Sequence, residues 1–197
     1  MKVGVVALQG DVREHRETLD ALGVDTAEVR LPDDLGALDA LILPGGESTT
    51  IGQLLDSSGL RPALADRLRD GLPVLGTCAG AILLARRVLD GRADQAPLAA
   101  LDVTIRRNGY GTQQHSFEAD LTVDGLDRPF PGVFIRAPLV ETVGATVEVL
   151  AEHDGHPVLL RDGPVWAATF HPELAGDLRV HQRFLTPDPD RQPKEVR

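Results

Sequence analysis

The chain has 197 residues, of which 42% are hydrophobic and 4% aromatic, so its length and composition suit one domain with an aliphatic core. Its formal net charge of −10 gives it no general affinity for nucleic acid or for an anionic membrane surface. A single cysteine excludes an internal disulfide framework and any zinc site that is built on a cysteine cluster.

Apolar strand-like runs and amphipathic helical runs alternate through the first 80 residues. Residues 3–8 are continuously apolar, as in a strand that is covered on both faces. Predicted strands at 26–30, 39–43 and 73–75 follow, with helical patterns at 12–22, 49–55, 60–72 and 81–85. This alternation predicts a parallel sheet that is wrapped by helices.

Beyond about residue 101 the pattern changes to short β-rich runs that are separated by turn residues. We expect hairpins at Asp124-Gly125, Asp154-Gly155 and Asp162-Gly163. The predicted strands are 101–106, 117–123, 133–135, 147–152, 157–161 and 165–170, and a closing helix is predicted at 174–185.

Together these elements predict an α/β fold. We expect a doubly wound, flavodoxin-like, mostly parallel sheet with helices on both faces and added antiparallel strands in the C-terminal half. Residues 1–185 are predicted to form one domain. The charged, proline-containing tail at 186–197 is predicted to be disordered.

The only cysteine, Cys78, lies in the segment Gly76-Thr77-Cys78-Ala79-Gly80, after a strand-like run and before a helix-like run. A strand, a tight turn with flanking glycines and a helix together form a nucleophile elbow, here with cysteine in place of serine. A lone cysteine is more often a small core residue, but the two glycines and the strand–helix context favour a nucleophile. A reactive free thiol also predicts a reducing, cytoplasmic location.

A cysteine nucleophile needs a base, and His171 is the best placed of the six histidines. It follows a predicted strand and begins the run His171-Pro172-Glu173, so that the carboxylate can hold one ring nitrogen while the other faces the thiol. The spacing alone leaves a simple strand end equally open. We expect His153 and His156 to be solvated and His15 and His181 to lie at a surface or interface, and we leave His115 unassigned.

The loop at 44–50 follows a strand and precedes a helix. Gly45 and Gly46 expose backbone N–H groups there that could bind an oxyanion, with the Ala79 amide as the natural second donor. The alternative is a tight loop in which Ser48 or Thr49 caps the helix. Arg107 and Arg136 each end a predicted strand and could bind a carboxylate, although such arginines are more often surface ion-pair residues.

Taken together, the motifs resemble the class I, triad-type glutamine amidotransferases, and more narrowly the glutaminase subunits of pyridoxal 5′-phosphate synthase. The resemblance covers residues 3–185. The runs that carry it are Leu8-Gln9-Gly10, Arg13-Glu14-His15, residues 43–50, residues 76–80, Arg107-Asn108, residues 116–121, residues 133–138 and residues 170–174. In one respect the chain departs from the family, because Thr112 follows Gly111 where an arginine is usual.

The resemblance implies hydrolysis of L-glutamine to L-glutamate and ammonia through a thioester on Cys78. His171 would act as base and then as acid, and Glu173 would hold it. It also implies an oxyanion hole from the amides of Gly46 and Ala79, and glutamine binding by Gly46, Glu47, Ser48, Arg107, Ile135 and Arg136. No cofactor and no metal are expected, since pyridoxal phosphate would be the product of the complex.

The resemblance further implies that the ammonia passes to a separate (β/α)8-barrel synthase subunit. Glutaminases would ring a dodecameric synthase core, with Gln9 and Gly10 at the interface, and would be weakly active until docked. Two alternatives stay open. One is a glutaminase that feeds another acceptor, such as imidazole-glycerol-phosphate synthesis, and the other is a non-hydrolytic redox-sensing or chaperone-like relative.

Overall fold

The computed structural model describes residues 1–92, 96–107, 109 and 116–186. The strands are β1 (Lys2–Val6), β2 (Asp25–Val29), β3 (Ala40–Leu43), β4 (Val74–Thr77), β5 (Ala85–Leu89), β6 (Leu101–Arg106), β7 (Phe117–Leu121), β8 (Phe130–Phe134), β9 (Leu139–Val143), β10 (Glu148–His153), β11 (His156–Asp162) and β12 (Val165–Ala168). The helices are α1 (Val12–Ala21), α2 (Ser48–Ser57), α3 (Leu60–Arg69), α4 (Ala79–Leu84) and α5 (Arg179–Leu185), and short 3-10 helices cover Pro32–Leu35 and Pro172–Leu174.

Among the described residues, a seven-stranded sheet has the order β10-β11-β12-β4-β3-β1-β2. The five strands from β12 to β2 run parallel, and β10 and β11 extend the sheet as an antiparallel hairpin. Asp154 and Gly155 turn that hairpin with φ angles of 49° and 76°, the positive values that a tight hairpin turn requires. The predicted α/β fold with a mostly parallel sheet is therefore confirmed.

Successive residues of the central strands point into two different cores. In β3, Leu41 and Leu43 face the core that contains α2, α3 and α4, whereas Ala40 and Ile42 face the core that contains α1, α5 and the β7–β8 hairpin. Burial on both faces explains why these strands are continuously apolar in the sequence. None of the helices in the described ranges combines the length and apolar character of a membrane span.

Two smaller sheets, β5-β6-β9 and β7-β8, cover parts of the large one. The pairs β6–β9 and β7–β8 are antiparallel, as expected for this half of the chain, but β5 pairs with β6 in parallel. Neither β5 nor β9 is predicted from the sequence. β5 begins at Ala85, where the predicted helical pattern ends, and its exposed Arg86-Arg87 pair gives the segment no strand-like alternation.

The closing helix is shorter than predicted. A 3-10 helix occupies Pro172–Leu174, and α5 begins only at Arg179. Gly176, with a φ of 64°, breaks the helical path, and the Asp177 carboxylate accepts a hydrogen bond from the Arg179 amide at 3.0 Å to begin α5. The predictions for His115, Thr112 and the tail beyond Thr186 fall outside the described residues, and the single-domain assignment stays a prediction.

The carboxyl ends of the parallel strands meet at one edge of the sheet. β1 leads into Gln9, β3 into Gly45 and Gly46, β4 into Cys78, and β12 into His171. In an open α/β sheet this edge is where ligands bind, because the loops that follow neighbouring strands converge there.

Candidate active site

Cys78 occupies a strained turn between β4 and α4. Its φ of 47° and ψ of −99° lie where side-chain-bearing residues are rarely found, and its amide donates to the Ala168 carbonyl at 2.8 Å. The flanking glycines are needed for space, since a Cβ on Gly80 would lie 2.0 Å from the Leu43 oxygen. The turn therefore holds the sulfur at the helix N-terminus, with 7% of the residue exposed.

His171 stands against the Cys78 sulfur, immediately beyond β12. Its Nδ1 lies 2.8 Å from Glu173 Oε1 and 3.2 Å from Asp11 Oδ2, and the Cys78 side chain is a further hydrogen-bond partner of the ring. Ionised carboxylates only accept hydrogen bonds, so Nδ1 carries a proton and Nε2 remains for the thiol. The backbone amide of His171 donates to Val133 at 2.8 Å, which fixes the ring's position.

The electrostatics of this group favour a strongly basic imidazole. Burial opposes protonation of His171, but hydrogen bonds to Asp11, Cys78 and Glu173 outweigh it and raise the pKa of His171 well above its ordinary value. Burial raises the pKa of Glu173, and its contact with His171 opposes that rise. The imidazole can therefore hold a proton that it takes from the neighbouring sulfur.

Asp11 is a site residue that the sequence reasoning missed. It directly precedes α1, where an aspartate is normally interpreted as a helix cap. Among the described residues its carboxylate makes no capping bond to α1, and it lies against His171 instead. The position after Gln9-Gly10, at the carboxyl end of β1, is the one signal that could have indicated it.

Gly46 and Ala79 supply the backbone amides that were expected to bind an oxyanion. The Ala79 amide is the first of α4, and the first amides of a helix have no partner within it. Gly46 has a φ of 149°, and a Cβ there would lie 2.5 Å from Gln9 Oε1. At Gly45 a Cβ would lie 2.5 Å from His171 Cε1, so this loop packs directly on the base.

Glu47 closes the same loop and caps α2, in place of the Ser48 or Thr49 cap considered from the sequence. Its Oε2 accepts from the Thr50 amide at 2.7 Å, and its Oε1 accepts from Arg107 Nη2 at 2.7 Å. Partial burial raises the pKa of Glu47, but the bonds from Thr50 and Thr49 and the charge of Arg107 together lower it to about 2. Glu47 is therefore anionic at neutral pH.

The Gln9 side chain connects the end of β1 to this loop. Gln9 Oε1 accepts a hydrogen bond from the Glu47 amide at 2.8 Å, and the Asp11 amide donates to Gly45 at 3.1 Å. A Cβ on Gly10 would lie 1.7 Å from the Gly45 oxygen, so only glycine allows this approach. A movement of residues 9–11 will therefore displace residues 45–47.

A cavity of about 340 Å³ lies over these groups, at the small end of the range for ligand sites. Across it, the Ile135 carbonyl lies 3.9 Å from the Cys78 sulfur, and Arg136 follows with a φ of 46°. The site residues predicted from the sequence line the cavity with two exceptions: Gly45, which packs against His171, and Glu173, whose side chain is fully buried behind His171. The lining residues are Gln9, Gly10, Asp11, Gly46, Glu47, Ser48, Cys78, Ala79, Ile82, Arg107, Ile135, Arg136 and His171.

Asp11, His171 and Glu173 place three potential metal-ligand atoms within 4.8 Å of one another. We assign them to proton transfer, because the 2.8 Å contact to Glu173 needs the proton on Nδ1 that a metal would displace. The expectation of no metal stays a prediction.

His15 and His181 are not at the surface, and the expectation for them is wrong. Both are fully buried, with 0% exposure, and His15 Nδ1 lies 3.1 Å from His181 Nε2. His15 precedes the buried Leu19 by one helical turn, so it shares the core face of α1. Mutual hydrogen bonding allows these two polar rings to be buried.

Comparison with known proteins agrees with this geometry. The model of the SNO glutamine amidotransferase family matches residues 5–187. The chain is 55% identical over 183 residues to pyridoxal 5'-phosphate synthase subunit PdxT of Mycobacteroides abscessus, covering 93% of this chain and 95% of that one. It is 56% identical over 187 residues to the subunit of the same name from Roseiflexus sp. (strain RS-1), covering 94% and 99%.

Solved structures give the same result. A crystal structure of a glutamine amidotransferase superposes with a TM-score of 0.88 at 50% identity, covering 93% of this chain and 96% of that one. PurLQS from Thermotoga maritima, at 18% identity and a TM-score of 0.67, covers 93% and 96% and shares the fold.

Proposed function

The chain belongs to the SNO glutamine amidotransferase family, and we propose that it releases ammonia from L-glutamine for pyridoxal 5′-phosphate synthesis, with Cys78 as the nucleophile. The observation that carries this proposal is the contact between Cys78 and His171, whose other nitrogen is held by Glu173 at 2.8 Å. A nucleophile, its base and an orienting carboxylate are the parts that acyl transfer requires.

In the first half of the reaction, His171 Nε2 takes the thiol proton and the sulfur attacks the carboxamide carbon of glutamine. The amides of Gly46 and Ala79 hold the oxyanion that forms on the carbonyl oxygen. The imidazolium then gives its proton to the leaving nitrogen. The C–N bond breaks, ammonia departs and a γ-glutamyl thioester remains on Cys78.

In the second half, His171 takes a proton from a water molecule, and the resulting hydroxide attacks the thioester carbon. The same two amides bind the second oxyanion. When the intermediate collapses, the C–S bond breaks, the sulfur recovers its proton from His171, and glutamate leaves. Glu173 keeps its charge throughout and holds Nδ1–H of the ring, so that Nε2 stays directed at the reacting atoms.

We propose that the charged residues around the cavity bind the amino acid end of glutamine. That end carries one positive and one negative charge. Glu47, anionic at neutral pH, suits the ammonium group, and the guanidinium groups of Arg107 and Arg136 suit the carboxylate. Ser48 and Ile135 complete the contacts on either side of Cys78.

The substrate is glutamine, as the name of the family indicates, and the partner is a synthase subunit, as the names of the relatives indicate. We further propose a (β/α)8-barrel synthase with a dodecameric core, a cytoplasmic location, and an interface that includes Gln9 and Gly10. The hydrogen bond from the Glu47 amide to Gln9 supports this interface, because a partner that presses on residues 9–10 would act on the oxyanion loop. Weak activity before docking follows from the same connection.

The test is a glutaminase assay on wild type and Cys78→Ala, each with and without the synthase. We expect glutamate release by the wild type to rise when the synthase is added, and to be absent from the folded Cys78→Ala variant. Normal turnover by that variant would overturn the proposal. Ammonia release that an unrelated acceptor enzyme stimulates and the synthase does not would instead favour the alternative acceptor.

A further inference from the structure

Behind the triad, buried polar side chains continue from Glu173 to the two buried histidines. Glu173 Oε1 holds His171, whereas Glu173 Oε2 makes no hydrogen bond to a described residue and lies 3.5 Å from His15 Nε2. His15 Nε2 is also 3.1 Å from Thr77 Oγ1, and His15 Nδ1 is 3.1 Å from His181 Nε2. The side chains of His15 and Glu173 are both fully buried. The mechanism above uses neither His15 nor His181.

One arrangement of protons suits this chain of contacts. The ionised Glu173 can only accept, so the nitrogen of His15 that faces it, Nε2, should carry the proton. His15 Nδ1 is then an acceptor, and it takes the Nε2–H of His181. The remaining atom, His181 Nδ1, has no hydrogen-bond partner among the described residues and is left as a bare acceptor.

The opposite arrangement is worse at both ends. A proton on His15 Nδ1 would leave a lone pair of Nε2 facing the Glu173 carboxylate, and the Thr77 hydroxyl, 3.1 Å away, would have to donate to it. It would also require His181 to carry its proton on Nδ1, where a buried donor would have no partner. Buried donors without partners are rarer in proteins than buried acceptors without them. His181 therefore fixes which nitrogen of His15 is protonated.

The ring of His15 is neutral. Burial, and then the charges of His181 and His171, lower the pKa of His15 well below its ordinary value. Burial likewise lowers the pKa of His181 to about 4. A neutral donor orients the Glu173 carboxylate without cancelling the negative charge that His171 needs.

We propose that His15 is a positioning residue for the glutaminase reaction: its Nε2–H, 3.5 Å from the unpartnered Glu173 Oε2, closes onto that oxygen in the substrate-loaded complex, so that Oε1 stays directed at His171. His181 supports it by holding the tautomer. This inference rests on the proposed function, since it assigns His15 a role through the triad. His15 does not line the substrate cavity, so its effect is on catalysis and not on glutamine binding.

The groups that face Glu173 predict the direction of a pH effect. They are His171 and Asp11 at the site, the backbone amide of Glu173 itself, and His15 on α1. Removing the His15 N–H takes away the dipole that faces this buried and otherwise unpartnered carboxylate oxygen, which disfavours the ionised form. Glu173 then protonates at a higher pH than in the wild type, and activity is lost earlier as the pH falls.

The experiment compares His15→Met with His15→Gln in the complex with the synthase. Met removes the donor and keeps the volume, whereas the Gln amide can place an N–H near the former Nε2. For His15→Met we expect kcat to fall about tenfold to a hundredfold, the range for an orphaned buried acceptor, with KM unchanged. The acidic limb of the kcat profile should move to higher pH, and His15→Gln should restore most of the rate.

Leu19→Met is the matched control, because Leu19 is buried one turn further along α1 and has no polar atom. It should leave the pH profile in place. If circular dichroism shows that His15→Met does not fold, His181→Met is used in its place. It removes the group that fixes the tautomer of His15, so we expect the acidic limb of the kcat profile to move to higher pH by a smaller amount than in His15→Met. An unmoved acidic limb would overturn the proposal.

Equal kcat for His15→Met and His15→Gln, an unmoved acidic limb, or a loss confined to KM would each overturn the role of His15. These outcomes are distinct from failure of the proposed function. In that case the wild-type complex itself would release no glutamate.

Discussion

Asp11 Oδ2 lies 3.2 Å from His171 Nδ1, the same nitrogen that donates to Glu173 at 2.8 Å. The base is thus held by two carboxylates from opposite ends of the chain. One is fully buried, and the other lies at the cavity wall with 34% of its side chain exposed. Glu173 orients the ring from within, while Asp11 adds negative charge from a position that substrate or a partner can reach.

Asp11→Asn should make His171 less basic. The substitution keeps the shape and removes the charge, so we expect His171 to lose its proton about one pH unit lower than in the wild type. An NMR titration of the His171 ring, in otherwise unchanged protein, measures this. Asp20→Asn, on the exposed side of α1, is the control and should leave the titration in place. An unchanged His171 titration in Asp11→Asn would show that the charge of Asp11 does not affect the basicity of His171.

Gly45→Ala should slow the reaction without unfolding the protein. The added Cβ meets His171 Cε1 at 2.5 Å and Asp11 Oδ2 at 2.7 Å, so the base must move away from Cys78. A displacement on this scale costs about a hundredfold in kcat. Steady-state kinetics in the presence of the synthase provide the measurement.

Gly36→Ala is the control for that substitution, because a Cβ there meets only the Asp33 oxygen at an ordinary 3.5 Å. It should be neutral in both rate and stability. Comparable rates for Gly45→Ala and Gly36→Ala would mean that the loop can move away from His171 at no cost.

Replacement of Cys78 should separate backbone strain from chemistry. Cys78→Ala and Cys78→Gly both remove the nucleophile, so both should release no glutamate. Glycine tolerates the φ of 47° that alanine does not, and we expect Cys78→Gly to be more stable than Cys78→Ala by about 1 kcal/mol. Urea unfolding of the two variants tests this, and a less stable glycine variant would argue against strain at the elbow.

Glu47→Gln should be less stable than the wild type at pH 7, and this difference in stability should decrease as the pH falls. Because the pKa of Glu47 is lowered to about 2, the stabilisation by its charge is complete above the usual glutamate pKa and disappears as the pH falls toward 2. Loss of the helix cap and of the Arg107 contact should cost about 1 kcal/mol at pH 7. Denaturant unfolding at pH 7, 5 and 3 should show that the difference in unfolding free energy between Glu47→Gln and the wild type decreases between pH 5 and pH 3.

The exposed Glu118→Gln is the control for that series and should match the wild type at each pH. A Glu47→Gln deficit that stayed constant from pH 7 to pH 3 would mean that the amide caps α2 as well as the carboxylate does.

The sheet and its catalytic edge were predictable because the signals are local. Continuous apolar runs indicate strands that are buried on both faces, and the glycines beside Cys78 mark a turn that few other sequences could form. The 3-10 helix at Pro172–Leu174 and the strand β5 were not predictable, since no change in periodicity marks either one. Their boundaries depend on Gly176 and on pairing with β6, which are matters of backbone geometry and tertiary contact.

The buried histidines show a different limit. A histidine on an amphipathic helix is usually solvated, and nothing near His15 in the sequence indicates that His181 will face it. The partner is 166 positions away, and only the packing of α1 and α5 against the same core brings the two rings together. Asp11 was missed because its sequence context also fits an ordinary helix cap.

The triad is assembled from segments that a ribosome produces far apart in time. Cys78 emerges when about three-fifths of the 197 residues are still to be made, and both His171 and Glu173 arrive near the end, directly after β12, the strand that pairs with β4. A nascent or truncated chain therefore carries the sulfur without its proton acceptor.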